Sequence, residues 1–281
     1  MNSSVAVSTP VPARLRTVFC TSGGLYGALV LRRLLACERL EICAVVRSTR
    51  VLDAKFGFLR GAVAQIRHSG VMYSLYLWCA TTLADGLCAL SGIGAVPTRN
   101  TRGLPVLNTR NVNDAEAQRF LAECAPDLLI SAFFNQRLHA AALALPKHGC
   151  LNIHPSLLPG AKGVDPVFQS LLHGAPPLGV TVHFMSTEFD AGRIVAQRAV
   201  GERAESSVFA ATALLFREGA ELLTGAIESV AAGATGSPQS GAGNYQSWPT
   251  RREVSALRAR GGALLRFRDL YRLTRRAQGP P

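Results

Sequence analysis

The chain lacks the cysteine patterns that staple small secreted domains or hold zinc. Its seven cysteines (20, 37, 43, 79, 88, 124 and 150 of 281 residues) are odd in number and scattered, with no Cys-x-x-Cys pair. They read as thiols of a reduced, intracellular protein rather than a disulfide frame or a metal site. A basic start followed by an apolar core is missing too. Met1 to Pro12 is polar and contains proline, so no secretory signal is expected and the expected compartment is the cytoplasm. No transmembrane segment is expected. Ser69 to Ala84 is 16 residues without formal charge before Asp85, just short of a spanning helix. The first turn, Ser22-Gly-Gly-Leu-Tyr-Gly27, has no Gly-x-Gly, and the second strand ends in Arg47-Ser48 rather than an acid. Both omissions argue against a nicotinamide or flavin site. The sequence shows no P-loop, carboxylate pair, metal-ligand cluster or internal repeat.

Acid is scarce. Eighteen Asp and Glu face thirty Lys and Arg, a net charge of +12. Most of the imbalance sits at one end. Residues 250–281 hold nine arginines against Glu253 and Asp269, a net of +7, which leaves +5 for the other 249 residues. The body is therefore weakly charged and the basicity belongs largely to a tail. A hydrophobic content of 48% suits a globular protein with a sizeable core, and the length suits one large domain with an appendage.

Arg16 to Ser22 reads as a first strand, Leu25 to Ala36 as a helix and Leu40 to Val46 as a second strand, a βαβ start. The helix N-terminus near Gly24 is a potential anion site. Residues 48–102 are too many for an idle loop. They read as a helical insertion (Lys55 to Gln65, then Ser69 to Ala84) packed on the core, with membrane-surface contact or a lid over the substrate as the alternatives. Leu104 to Leu107 is a short strand. Asn113 and Glu116 make a capping box for a helix that runs to Cys124. Leu128 to Ala132 is an apolar, central strand.

The chemistry concentrates between Asp127 and Val200. Cys150 to Ile153 is short, apolar and bounded by Gly149 and Pro155, which suits a buried strand. Residues two apart on a strand share a face, so Asn152 and His154 project together while Leu151 and Ile153 point the other way. Pro155 places His154 at the strand's carboxyl end, where ligands of open parallel sheets bind. An amide donor beside an imidazole suits acyl transfer: one stabilises an oxyanion, the other carries a proton. A histidine at a strand end is as a rule a hydrogen-bonded structural residue. Asp190, in a turn after the next strand, supplies the carboxylate that could orient this one. Further along, Asp165-Pro166 starts a helix that Gly174 stops. Thr181 and His183 share one face of the strand Val180 to Met185, with His183 reading as a satisfied core histidine. Ile194 to Val200 is another strand, and Ser207 to Ala232 a long helix.

At these residues the chain resembles the formyltransferases that use 10-formyltetrahydrofolate. The resemblance rests on Asn152, His154-Pro-Ser-Leu-Leu-Pro159, Gly163, Pro166, Gly179, Thr181, His183, Asp190, Gly192, Ile194 and Gln197. It covers residues 104–232 well and the first strands more loosely. It implies an α/β fold: a Rossmann-like, open, twisted, mostly parallel sheet with helices on both faces. It implies Asn152, His154 and Asp190 as the catalytic set, with His183 supporting Asp190. It also implies a pocket for 10-formyltetrahydrofolate, the formyl donor, lined by Phe134, Asn135, Gln136, Arg137, Leu138, Glu188 and Phe189, and no metal. The expected reaction is formyl transfer to a primary amine of a small molecule such as an amino sugar. The alternatives are methionyl-tRNA, gripped by the basic tail, and water, which would make a hydrolase. A domain that only binds folate would need none of the three polar residues. Glycinamide ribonucleotide is disfavoured, because Ser22 to Gly27 departs from that subfamily's phosphate loop.

The expected organisation is a disordered N-terminus (1–15) and a catalytic domain (16–232) carrying the helical insertion (48–102). A Gly/Ser/Ala-rich linker (233–243) and a basic tail (244–281), helical over 263–276, would follow. The tail is expected to dock on the body as an amphipathic helix, and the sheet to tolerate loss of 245–281 better than loss of its opening segment.

Overall fold

The computed structural model describes residues 14–269, except 53–54, 56, 84, 87–95, 98–102, 202–206 and 242. Seven strands form one sheet: β1 (Leu15–Thr21), β2 (Leu40–Ser48), β3 (Val106–Thr109), β4 (Leu128–Ala132), β5 (Cys150–His154), β7 (Gly179–Phe184) and β8 (Ile194–Ala199). Their order is β3-β2-β1-β4-β5-β7-β8. The first five run parallel, and β7 and β8 are antiparallel additions at one edge. The strand order reverses between β1 and β4, the kind of switch point at which such sheets bind ligands.

Alternation along the strands sorts the core into two layers. Phe19, Ile130, Leu151 and Ile153 pack under α1 (Gly24–Leu35) and α6 (Val208–Ala231). Val18, Cys20, Leu129 and Cys150 pack on the other face against α3 (Ala115–Cys124) and the short α4 (Ala140–Leu143). Helices therefore cover both faces, as two-sided burial of a parallel sheet requires.

The insertion is helical, but not where its ends were expected. Lys55 lies in a turn, and α2 runs Phe58–Trp78 with a break at Gly70, followed by a π-helical turn, Cys79–Leu83. Tyr73 and Tyr76 anchor it in the core. Asp85 accepts a hydrogen bond from the Gly24 amide at 2.8 Å and pairs with Arg47. The N-terminus of α1, read as a potential anion site, is thus already capped by the chain's own carboxylate. A side chain at Gly24, whose φ is +68°, would collide with the Ala80 carbonyl, so this approach needs glycine.

The cap of α3 is Asp114, which accepts from the Ala117 amide at 2.9 Å; it is not Asn113. Asn113 instead ties the next loop, donating to the Arg137 carbonyl and accepting from the His139 amide.

The C-terminal region corrects two expectations, the free linker and the place of the tail helix. Residues 233–241 and 243 do not form a free linker. Ser237 bridges Ile194 in both directions, Arg193 donates to the Thr235 and Gly236 carbonyls, and Gln239 donates to the Asp190 and Gly192 carbonyls. The tail is docked as well. Its strand β9 (Tyr245–Gln246) pairs with β6 (Lys162–Gly163), and Val254, Leu257 and Leu264 are buried. Its helix is α7 (Arg251–Ala259), opened by a Thr250/Glu253 capping box and ended near Gly261, which has φ +80°. The helix expected over 263–276 begins too late, and 270–276 lie outside the described residues. At the other end, Leu15 is already a buried strand residue rather than part of a disordered segment, and 1–13 lie outside the described residues.

Candidate active site

Antiparallel pairing of β5 with β7 sets the site. It places Asn152 opposite His183 and His154 opposite Thr181, so residues 31 and 27 apart in sequence become cross-strand neighbours. The Asn152 amide nitrogen lies 3.1 Å from His183 Nε2, and His183 Nδ1 lies 2.7 Å from the Phe184 carbonyl oxygen. Only one tautomer satisfies both contacts: Nδ1 carries the proton and donates to Phe184, while Nε2 accepts from Asn152. One Asn152 amide proton is used in this way, and the second remains for the cavity that Asn152 lines.

His154 is 4% exposed. Its Nε2 stands 2.8 Å from the Ala161 carbonyl oxygen and its Nδ1 3.4 Å from Asp190 Oδ1. Both ring nitrogens thus face oxygen acceptors. Asp190 is positioned by its surroundings. Its Oδ2 accepts from the Gly163 amide at 2.8 Å, its carbonyl accepts from Gln239 at 2.8 Å, and its Oδ1 is 3.8 Å from His183 Nε2. Its φ of +52° is a strained conformation tolerated best by Asn and Asp. Gly163, with φ +117°, can only be glycine, since a side chain there would strike the Gln246 carbonyl of β9. The tail strand therefore presses against the loop that presents an amide to Asp190.

The loop after His154 is held by one hydroxyl. Thr181 Oγ1 donates to the Ser156 carbonyl at 2.6 Å and accepts from the Leu158 amide and from Gln197 Nε2. Ser156 Oγ donates to the Ala161 carbonyl. Thr181, Ser156 and Gln197 thereby fix the backbone that His154 leans on.

These groups open onto a cavity of about 1040 Å³ at the switch point, bordered by Ser22 after β1 and by Phe133 to Asn135 after β4. This exceeds what one drug-sized ligand usually fills. Of the seven residues expected to line a donor pocket, Phe134, Asn135 and Phe189 are on its wall. Asn135 spends its side chain on Ser22, Ser48 and the Arg50 carbonyl, tying three loops together. Gln136 and Leu138 are buried away from the cavity: Gln136 bonds Ser48, Thr109 and Val112, and Leu138 packs under α3 and α4. Arg137 and Glu188 are exposed and off the wall, with the Arg137 guanidinium 5.8 Å from the Phe189 ring centre.

Several site residues carry no motif signal. Asp165, the cap of α5 (Pro166–His173), lies on the cavity wall and accepts from Tyr73 Oη at 2.8 Å; burial raises its pKa, against the pull of the Phe168 amide and the tyrosine. Tyr245 and Trp248 of the tail also line the cavity. Nothing local in the sequence brings them there. Among the described residues no group of three or more His, Cys, Asp or Glu could hold a metal ion, and no helix is long and apolar enough to cross a membrane.

Burial lowers the His183 pKa from 6.5 to about 4, with Asp190 opposing the shift. The folded ring stays neutral where the unfolded one takes up a proton. Stability from this group is therefore full above about 6.5 and lost as pH falls toward 4, a change of about 2 kcal/mol between pH 7 and pH 5. Urea titrations at the two pH values should show this loss, and His183→Gln should shrink it. Equal losses in both proteins would contradict the buried neutral histidine.

Residues 89–223 match the family model described as "Formyl transferase". Over this segment the chain is similar to the formyltransferase family. Curated relatives of this chain include the methionyl-tRNA formyltransferase of Thermotoga neapolitana, 46% identical over 99 residues, which are 35% of this chain and 32% of the relative. The corresponding protein of Roseiflexus castenholzii is 38% identical over 132 residues, 47% of this chain and 42% of the relative. The chain thus spans about a third to two-fifths of the length of these relatives. Among solved structures, a sugar N-formyltransferase from Shewanella superposes with a TM-score of 0.56 at 17% identity, over 86% of each chain. Glycinamide ribonucleotide transformylase 1 from Symbiobacterium toebii gives 0.52 at 22%, over 78% of this chain and 89% of the other. At those identities the likeness is one of fold: the chain has the expected α/β architecture.

Proposed function

We propose that the chain transfers the formyl group of 10-formyltetrahydrofolate to a primary amine of a small-molecule acceptor. The observation that carries this reading is the convergence of Asn152, His154 and Asp190 on one cavity at the switch point of the sheet. The amine nitrogen bonds to the formyl carbon, and the free Asn152 amide proton is placed to meet the oxygen as it gains charge. His154 takes part as proton carrier: the proton lost by the attacking amine is delivered to N10 of the folate as the carbon–N10 bond breaks. Asp190, itself anchored by the Gly163 amide, orients the ring and offsets its charge. No step in this scheme calls for a metal. Phe134, Asn135 and Phe189 remain as donor-pocket residues.

The curated relatives are named for methionyl-tRNA, and this favours that acceptor as the second reading. The tail's docking weighs toward a small molecule. Arg251 donates to the Ile66 carbonyl and Arg260 to the Leu172 carbonyl, so these two arginines are engaged with the body. The test offers labelled formyl donor with pooled primary amines, and separately with charged initiator tRNA at two salt concentrations. Label in a small amine is the expected result. Efficient, salt-sensitive transfer to tRNA that disappears when Arg252 and Arg258 are neutralised would establish the second reading instead.

A further inference from the structure

The outer wall of the cavity is α2. Every α2 residue on it is uncharged; Phe58, Ile66, Val71, Leu75, Leu77 and Trp78 are apolar, and Gln65, Tyr73, Ser74 and Tyr76 are the polar ones. Leu75 is 51% exposed and Trp78 47% exposed, so neither is consumed by the core. Val51, Leu52 and Trp248 also border the cavity. Half-exposed apolar groups gathered on a cavity wall, continuous with a reactive site, are unusual unless a ligand covers them.

A second observation concerns charge. The border of the cavity best suited to an anion is the N-terminus of α1 beside Arg47, where an oxyanion would find a helix amide and a guanidinium. Asp85 already occupies it, bonded to the Gly24 amide and paired with Arg47. Arg50, the other lining arginine, donates to the Arg110 carbonyl and to Gln136 Oε1. A phosphate on the acceptor would have to displace the chain's own carboxylate.

We propose that α2 forms an apolar acceptor subsite, and that the amine formylated here carries an aliphatic or aromatic group and no phosphate. This rests on the reading above that the Asn152/His154/Asp190 site transfers a formyl group to an amine. The insertion then acts as a specificity element, since residues 58–78 lie outside the segment 89–223 matched to the family.

The test uses the full chain, 10-formyltetrahydrofolate and n-butylamine, n-hexylamine and n-octylamine, with ethanolamine and phosphoethanolamine as a charge pair. Formamide formation gives kcat/KM, and quenching of tryptophan fluorescence gives binding independently of turnover. Each added methylene should raise kcat/KM or affinity about two- to fourfold, up to the value for full burial. Leu75→Ala and Trp78→Ala, both at half-exposed positions that folding should tolerate, should flatten that dependence. Phosphoethanolamine should be the poorer of its pair. Chain-length-dependent binding without formamide would keep the subsite and remove the transfer reaction. Formamide formation equal from butyl to octyl would keep the transfer and overturn the subsite. Preference for phosphoethanolamine, or no binding and no turnover of any alkylamine, would also overturn it.

Discussion

His154→Ala is expected to lower kcat/KM for formyl transfer at least a hundredfold, the usual scale for a positioned proton carrier. Asp190→Asn should do comparable damage, because the carboxylate both faces His154 Nδ1 and receives the Gly163 amide. Neither variant should be fully neutral for folding. His154 is buried, and its removal leaves Asp190 Oδ1 without its imidazole partner, at about 1–3 kcal/mol, while the Ala161 carbonyl keeps its bond from Ser156. Activity must therefore be read on protein shown to be folded by circular dichroism at the assay temperature. His154→Gln, which can still reach a carbonyl, serves as a control. If it restores stability but not turnover, the proton is what matters. Near wild-type kcat/KM in folded His154→Ala would refute the role.

Deleting residues 245–281 is expected to unfold the domain. The deletion removes Val254, Leu257 and Leu264, each worth about 1.5–3 kcal/mol when buried, from a fold whose net stability is typically about 5–15 kcal/mol. It also removes β9 from its pairing with β6 and Asp269 from its 2.5 Å bond with Ser207, the cap of α6. Thermal unfolding of the truncated chain should show no cooperative transition near that of the full chain. A truncated protein with an unchanged transition would mean that the tail is an appendage after all.

The strand that carries Asn152 and His154 was readable because its signals are local. Pro155 ends β5 at His154, two-residue alternation pairs Asn152 with His154, and Asp165-Pro166 opens α5 as its composition demands. The tail was misread because its order comes from distant partners. Gly/Ser-rich composition predicts low intrinsic order at 233–243, yet Arg193 pins the Thr235 and Gly236 carbonyls, and Gln239 of the segment donates to the Asp190 and Gly192 carbonyls. Asn113 and Asp114 are equally good caps in isolation; tertiary bonds to Arg137 and His139 draw Asn113 away and leave the cap to Asp114. The resemblance implied that the backbone of Phe134 to Leu138 lines the donor pocket; Phe134 and Asn135 stand on the cavity wall, while the Gln136 and Leu138 side chains turn into the protein interior. The Thr250/Glu253 capping box that opens α7 and the Gly261-Gly262 break that ends it were the tail signals available in the sequence.

The most direct measurement is a mass balance on purified chain with 10-formyltetrahydrofolate labelled in the formyl group, with and without an amine acceptor. One tetrahydrofolate should appear per labelled formamide, with little free formate, and His154→Ala should suppress both products together. Label released as formate at the same rate whether or not amine is present, or tetrahydrofolate formed equally well by His154→Ala, would contradict formyl transfer by the Asn152/His154/Asp190 site.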